Sequence, residues 1–196
     1  AALHLLKNGV TAVVDACTAG ETAVLTEMKI REKVEIYTSL GMSCAVAPGE
    51  RWQNRIVHQS GQDQTFLSGL PEHLREKMER QHIYRARLNS TEYLSLILRL
   101  AKEYALAETS DVWFGPTAFH WTSPQLLRAI AWAVRQKGLR IQTHAEESLL
   151  QHLTAGRPDF RNPVAELANV GLLGKNLSLA HMVWADDNDL QHVAGM

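Results

Sequence analysis

The 196-residue chain has little cysteine and no excess of charge of either sign. Its two cysteines, Cys17 and Cys44, form neither a CxxC motif nor a disulfide framework. The formal net charge of -1 gives no electrostatic case for binding nucleic acid or an anionic membrane. No apolar run reaches the length that spans a bilayer, and the first residues lack a signal-peptide pattern. These absences predict a soluble, cytoplasmic protein.

The chain also lacks the glycine-rich phosphate loops GxGxxG and GxxxxGK[ST]. It contains instead an alternation of short apolar runs and amphipathic stretches. We predict five strands, at about residues 10–15, 34–40, 111–115, 139–143 and 177–180. Helices are predicted between them, an order typical of an α/β fold with a parallel sheet. Residues 48–90 are predicted to be an inserted loop and helical excursion within one domain, residues 1–196.

Polar residues at successive strand ends favour one parallel architecture over another. Asp15, Thr117, His144 with Glu147, and His181 fall near the carboxyl ends of predicted strands. A (β/α)8 barrel gathers its site from several strand ends, whereas an open doubly wound sheet uses one switch point. A whole barrel has eight strands and about 200 residues or more. Five strands therefore predict a partial (β/α)8 TIM-type barrel from the middle of a longer chain, with a doubly wound binding domain as the rival.

His144 and His181 follow the predicted strands "LRIQT" and "LSLA". Neighbouring strands lie about 4.8 Å apart, so both imidazoles can reach one small site. Imidazole binds metals and accepts protons near neutral pH, and Glu147 adds a carboxylate three residues after His144. This grouping favours metal-assisted hydrolysis. The residues alone leave open that the histidines are exposed or capping groups, and that Glu146 and Glu147 only complement a helix dipole.

The segment "THAEES", followed by "NPVAELANVGLLGKNLSLAHMVWADDNDL", resembles the amidohydrolase superfamily. The likeness is closest to its aminohydrolases and chlorohydrolases, which act on s-triazines, guanine and adenosine thioethers. "KNGVTAVVD" and "GPTAFHWTSPQLLRAIAWAV" are similar to the second and fourth strand regions of that branch. The resemblance implies about strands 2 to 6 of a barrel. It also implies hydrolytic deamination of an N-heterocyclic substrate (a purine, pyrimidine or triazine-like ring) by a metal-activated water.

The same resemblance implies roles for particular residues. His144 resembles the fifth-strand metal ligand, and Glu147 resembles the acid that moves a proton to a ring nitrogen of the substrate. His181 resembles the sixth-strand histidine that holds or deprotonates the attacking water. Thr117 stands where many relatives have a substrate-contacting histidine after the fourth strand. The expected substrate-binding residues are Thr117, His120 and Trp184.

The family's strand-one His-x-His and strand-eight aspartate are absent from the chain and are expected outside it. The resemblance implies one divalent metal, zinc or alternatively iron, and a small heterocyclic substrate. It implies neither a nucleic acid nor a membrane partner, and it predicts a homo-oligomer for the full-length protein. Two functional alternatives remain. One is a superfamily enzyme that acts by dehalogenation or cyclic amide hydrolysis, and the other is an inactive barrel fragment.

Overall fold

The computed structural model describes residues 1–57, 61–81, 88–154 and 162–195. Its strands are β1 (Ala12–Thr18), β2 (Ser43–Gly49), β3 (Ser110–Val112), β4 (Ile141–Ala145) and β5 (Leu177–His181). Its helices are α1 (Ala2–Lys7), α2 (Ala23–Ser39), α3 (Asp63–Ser68), α4 (Glu72–Arg80), α5 (Ser90–Tyr104), α6 (Pro124–Lys137), α7 (Leu149–Thr154), α8 (Pro163–Asn169) and α9 (Asp187–Ala194). A short 3-10 helix, Phe119–Trp121, precedes α6. Among the described residues, none of the helices has the length and apolar character that a membrane crossing requires.

The strands pair in parallel and in chain order. β1, β2 and β3 form one sheet, and β4 and β5 form a second. Two single parallel bridges, Phe114 to Ile141 and Ala118 to His144, connect the segment after β3 with β4. The predicted alternation of helices with parallel strands is therefore confirmed. Both sheets are small and open within the described parts of the chain.

The helices α5 and α6 each bury one apolar face in the core. Asn89 caps α5 and Ser123 caps α6, in each case by accepting a hydrogen bond from a first-turn backbone N–H. The α6 helix ends at Gly138, whose φ of 65° suits the left-handed residue that stops a helix. The core residues that these two helices supply include Tyr93, Leu96, Ile97, Leu100, Leu126, Leu127, Ile130 and Val134.

The predicted strand at residues 34–40 is wrong, because that segment belongs to α2. Val34 and Tyr37, three residues apart, lie on the buried face of this helix. Their β-branched and aromatic side chains gave a local strand signal, and the helical spacing of the buried face overrides it. The chain leaves the helix at Gly41, where φ is 74°, and the second strand is Ser43–Gly49.

Asp15 does not lie at a strand end, which corrects its predicted position. It lies within β1, and its Oδ2 accepts hydrogen bonds from Lys33 Nζ at 2.7 Å and Tyr37 Oη at 2.9 Å. Asp15 therefore ties β1 to α2.

The proposed excursion at residues 48–90 contains α3 and α4, while its first residues belong to β2 and its last residue begins α5. Its residues 58–60 and 82–87 lie outside the described structure.

Tyr93 links the end of β2 to the backbone at Gly115, in the segment between β3 and Thr117. Its buried hydroxyl donates to Pro48 O at 3.0 Å and accepts from Gly115 N at 2.8 Å. A Cβ on Gly115 would lie 2.2 Å from Ala47 O, so only glycine permits this approach. The contact fixes the backbone just before Thr117.

Candidate metal centre

Two histidines meet at the carboxyl ends of β4 and β5. His181 Nε2 lies 2.9 Å from His144 Nδ1, and the two ring centroids are 5.0 Å apart. His144 is half-buried, whereas 37% of the His181 side chain is exposed. At this distance, the two imidazole nitrogens border one small volume.

The backbone at His181 makes this meeting possible. In the parallel ladder His144 is paired with Ala180, and His181 is paired with Ala145. Successive residues of a strand point to opposite faces, so regular backbone would send the two imidazoles apart. His181 has a φ of 76° and Met182 has a φ of 53°, which are left-handed values rare for such residues. This turn redirects the His181 ring toward His144.

Glu147 supplies the third group. Its Oε1 lies 3.7 Å from His181 Nε2, and 52% of its side chain is exposed. One ligand atom from each of His144, Glu147 and His181 lies within 4.8 Å of the others. The backbone N–H of Glu147 donates to Gln151 Oε1 at 2.9 Å, which fixes the residue at the entrance to α7. The three groups form a cluster with the nitrogen and oxygen donors that divalent transition metals accept.

The surroundings favour a neutral His144. Burial lowers the pKa of His144, the neighbouring His181 lowers it further, and the charge of Glu147 opposes both effects. An imidazole must be neutral to bind a metal ion or accept a proton. These effects favour the neutral, metal-binding form of His144.

Of the three expected substrate-binding residues, Thr117 contacts the cluster directly, whereas His120 and Trp184 contact the neighbouring residues Gln151 and Glu146. Thr117 O accepts a hydrogen bond from His144 N at 3.1 Å, so Thr117 borders the cluster through its backbone. The His120 ring packs 4.5 Å from the Trp121 ring and has Nδ1 3.5 Å from Gln151 Nε2. Trp184 is 41% exposed.

Sequence reasoning missed the role of Glu146, the residue between His144 and Glu147 in the turn. It was interpreted as a first-turn acid, but α7 begins only at Leu149 and Glu146 is fully buried with a φ of 48°. Its carbonyl accepts hydrogen bonds from Val183 N at 3.0 Å and Trp184 N at 3.2 Å, which hold the turn after β5. The sequence "HAEES" does not indicate that Glu146 is buried while Glu147 is half-exposed.

Comparison with known proteins gives a consistent set of relatives. The chain is 32% identical over 77 residues to 5'-deoxyadenosine deaminase of Methanopyrus kandleri, covering 39% of this chain and 18% of that protein. It is 29% identical over 100 residues to 5-methylthioadenosine/S-adenosylhomocysteine deaminase of Saccharophagus degradans, covering 50% of this chain and 22% of that protein. No family model matches the chain.

Two solved structures share the fold over nearly the whole chain. Atrazine chlorohydrolase of Arthrobacter aurescens TC1, complexed with zinc, aligns with a TM-score of 0.69 and 18% identity, over 98% of this chain and 38% of that one. Guanine deaminase of C. acetobutylicum, with bound guanine, aligns with a TM-score of 0.71 and 14% identity, over 99% of this chain and 39% of that one.

The chain thus spans 18–22% of these curated relatives and 38–39% of these solved structures. These similarities, to deaminases in sequence and to a chlorohydrolase and a guanine deaminase in fold, agree with the resemblance of the chain to the deaminase and chlorohydrolase branch of the amidohydrolase superfamily.

Proposed function

We propose that these residues form strands 2 to 6 of a (β/α)8 barrel in a metal-dependent hydrolase that deaminates an N-heterocycle. The observation that carries the proposal is the 2.9 Å approach of His144 Nδ1 and His181 Nε2, with Glu147 Oε1 3.7 Å from His181 Nε2. All three lie at the carboxyl ends of adjacent parallel strands, where barrel enzymes assemble their sites.

The donor set of this cluster fits a divalent cation of the zinc class. Imidazole nitrogen and carboxylate oxygen are both zinc ligands, and His144 is held in its neutral form. His144 would hold the ion, with the remaining ligands supplied from outside these 196 residues. When bound, such an ion acts as a Lewis acid that lowers the pKa of water toward neutrality.

The protein's own side chains handle the protons. His181 lies on the same small volume as His144, and it accepts the proton of the attacking water as a general base. Glu147 is half-exposed and its Oε1 lies 3.7 Å from His181 Nε2, so it can take that proton from His181 and deliver it to a ring nitrogen of the substrate. Protonation of that nitrogen draws electrons from the carbon under attack, which favours addition of water and loss of ammonia.

The surrounding residues suit a flat ring. Trp184 offers a partly exposed aromatic face, and its backbone is fixed to Glu146 O. His120 packs against Trp121 and faces Gln151, which also holds Glu147. We propose that Thr117, His120 and Trp184 contact the heterocycle. A small heterocyclic molecule is therefore the proposed partner.

The test is a product assay on the natural full-length protein after loading with zinc. Ammonia release is measured with guanine, an adenosine thioether, cytosine and an aminotriazine. Chloride release is measured with a chlorotriazine, and ring opening with a cyclic amide. We expect ammonia from at least one ring. Glu147→Gln should lower kcat by about 10²–10⁴-fold, the usual contribution of general acid–base catalysis.

Glu76→Gln is the matched control, because Glu76 is an exposed acid on α4 and should leave kcat unchanged. Chloride release without ammonia would replace deamination by dehalogenation. Ring opening without ammonia would replace it by amide hydrolysis. Absence of all three products, or full activity in Glu147→Gln, would contradict the proposal and favour the inactive barrel.

A further inference from the structure

A second cluster of ligand-type side chains lies on the buried side of the same turn. Glu146 follows β4, His152 belongs to α7 and Asp189 belongs to α9. One ligand atom from each lies within 4.8 Å of the others. His152 Nδ1 is 3.1 Å from Glu146 Oε2. The chain thus brings two carboxylates and an imidazole together outside the His144–His181 site.

Asp189 is held in place by its neighbours. It is 1% exposed, and its Oδ1 accepts a hydrogen bond from Asn162 Nδ2 at 2.6 Å. Its Oδ2 accepts from the backbone N–H of Asp186 at 3.1 Å, within a capping box at the start of α9. Each carboxylate oxygen has two acceptor positions, so one remains on each for another ligand. Hydrogen bonds of this kind orient carboxylates in metal sites.

Glu146 provides the independent sign of a missing ligand. The residue is 0% exposed, and its buried Oε1 accepts no hydrogen bond within the described parts of the chain. Buried carboxylates are normally hydrogen-bonded, paired with a cation or bound to a metal, because an unpaired buried charge is strongly unfavourable. His152 satisfies Oε2 alone.

We propose that Glu146, His152 and Asp189 bind a second divalent cation of the zinc class. The two carboxylates balance the charge of the ion, and the imidazole completes three protein ligands of the types zinc prefers. The His152 side chain is 31% exposed, so the cluster meets the solvent at this residue. The site connects β4 with α7 and α9, on the opposite side of the chain from Glu147.

The second site gives the turn at Glu146 a structural function. The Glu146 carbonyl holds Val183 and Trp184, and its side chain would be fixed by the ion. An ion here would stabilise the left-handed backbone between His144 and Glu147. The proposal does not depend on the reaction catalysed at the first site.

The experiment counts zinc in the natural full-length protein after removal of metal with a chelator, reloading with zinc and gel filtration. Four variants are compared with wild type by elemental analysis: Glu146→Gln, His152→Gln, the double variant His144→Ala/His181→Ala, and the control His4→Ala on α1. We expect Glu146→Gln and His152→Gln each to lose one zinc per chain. The double variant should keep that zinc, and the control should match wild type.

Far-UV circular dichroism shows whether each variant folds. If Glu146→Gln unfolds, the zinc content of His152→Gln tests the proposal, because His152 is partly exposed on a short helix. Equal zinc content in wild type and folded His152→Gln would overturn the proposal. A double variant that binds no zinc would also overturn it. Neither result depends on ammonia release. The zinc assay can therefore refute the second site without refuting the proposed deamination, and the activity assay can refute deamination without refuting the second site.

Discussion

His181 Nε2 lies 2.9 Å from His144 Nδ1, although the strand ladder pairs His181 with Ala145. The two rings converge because the backbone of His181 is left-handed, with a φ of 76°. The candidate centre thus depends on a conformation that costs most residues about 1–2 kcal/mol. Neighbouring contacts, including Met182 N to Ala145 O at 3.0 Å, hold it in place.

Two substitutions at His181 should separate the effect of the left-handed backbone on stability from the effect of losing the imidazole. Asparagine tolerates left-handed backbone and a β-branched residue does not. We expect His181→Val to lower the free energy of unfolding by about 1 kcal/mol more than His181→Asn. Urea unfolding followed by circular dichroism measures both. Equal stabilities would show that the left-handed turn is not retained in solution.

Removing the hydroxyl of Tyr93 should destabilise the core. In Tyr93→Phe, Pro48 O and Gly115 N both lose their buried hydrogen-bond partner. Unsatisfied buried groups cost about 1–3 kcal/mol, so the free energy of unfolding should fall by that amount. Tyr104→Phe, in the last turn of the same helix and only partly buried, is the control and should change stability by less than about 0.5 kcal/mol. Similar losses in both variants would refute the role of the Tyr93 hydroxyl.

Glu27 should make stability depend on acid pH. Hydrogen bonds from Arg99 and then Arg31 lower the pKa of Glu27 from 4.5 to about 2. The folded state therefore binds a proton less readily than the unfolded chain. The stabilisation is fully present above about pH 4.5 and is lost as pH falls toward about 2.

We expect Glu27→Gln to be less stable than wild type at pH 7 by about 0.5–1 kcal/mol, as is usual for exposed ion pairs. The difference should narrow steadily between pH 5 and 3 in urea titrations. Glu76→Gln removes the exposed Glu76–Arg80 pair and is the control. A Glu27→Gln difference that stays constant with pH would contradict the assignment.

Cys17 should react slowly with alkylating reagents. Burial, and then the charge of Asp15, raises the pKa of the Cys17 thiol to about 11. The thiolate is the reactive form, so at pH 8 only about one thousandth of Cys17 is reactive. We expect iodoacetamide to label it more than about 100-fold slower in the native protein than in urea. Peptide mass spectrometry distinguishes it from Cys44, and equal native and denatured rates would disprove the assignment.

The sequence predicted most of the fold because its helices have clear local signals. Ser123, Pro124 and Gly138 mark both ends of α6, and the structure follows them. The predicted position of the second strand is wrong because strand-forming side chains also occur within the helix α2. Residues 34–40 carry strand-forming side chains, but tertiary burial along α2 decides their conformation.

The sequence predicts only part of the candidate site. The positions of His144 and His181 after two neighbouring strands follow from the chain order and parallel pairing. The left-handed turn at His181 and the burial of Glu146 depend on packing between β4, β5 and the helices around them. No local pattern encodes such packing. The same reason explains why the Glu146–His152 contact escaped prediction.

The most direct test of the proposed centre is X-ray diffraction at the zinc absorption edge on crystals of the zinc-loaded full-length protein. The account predicts an anomalous peak bound by His144 Nδ1, with His181 Nε2 and the Glu147 carboxylate beside it. An ordered His144–His181 pair in zinc-loaded crystals with no anomalous peak at His144 would contradict the account.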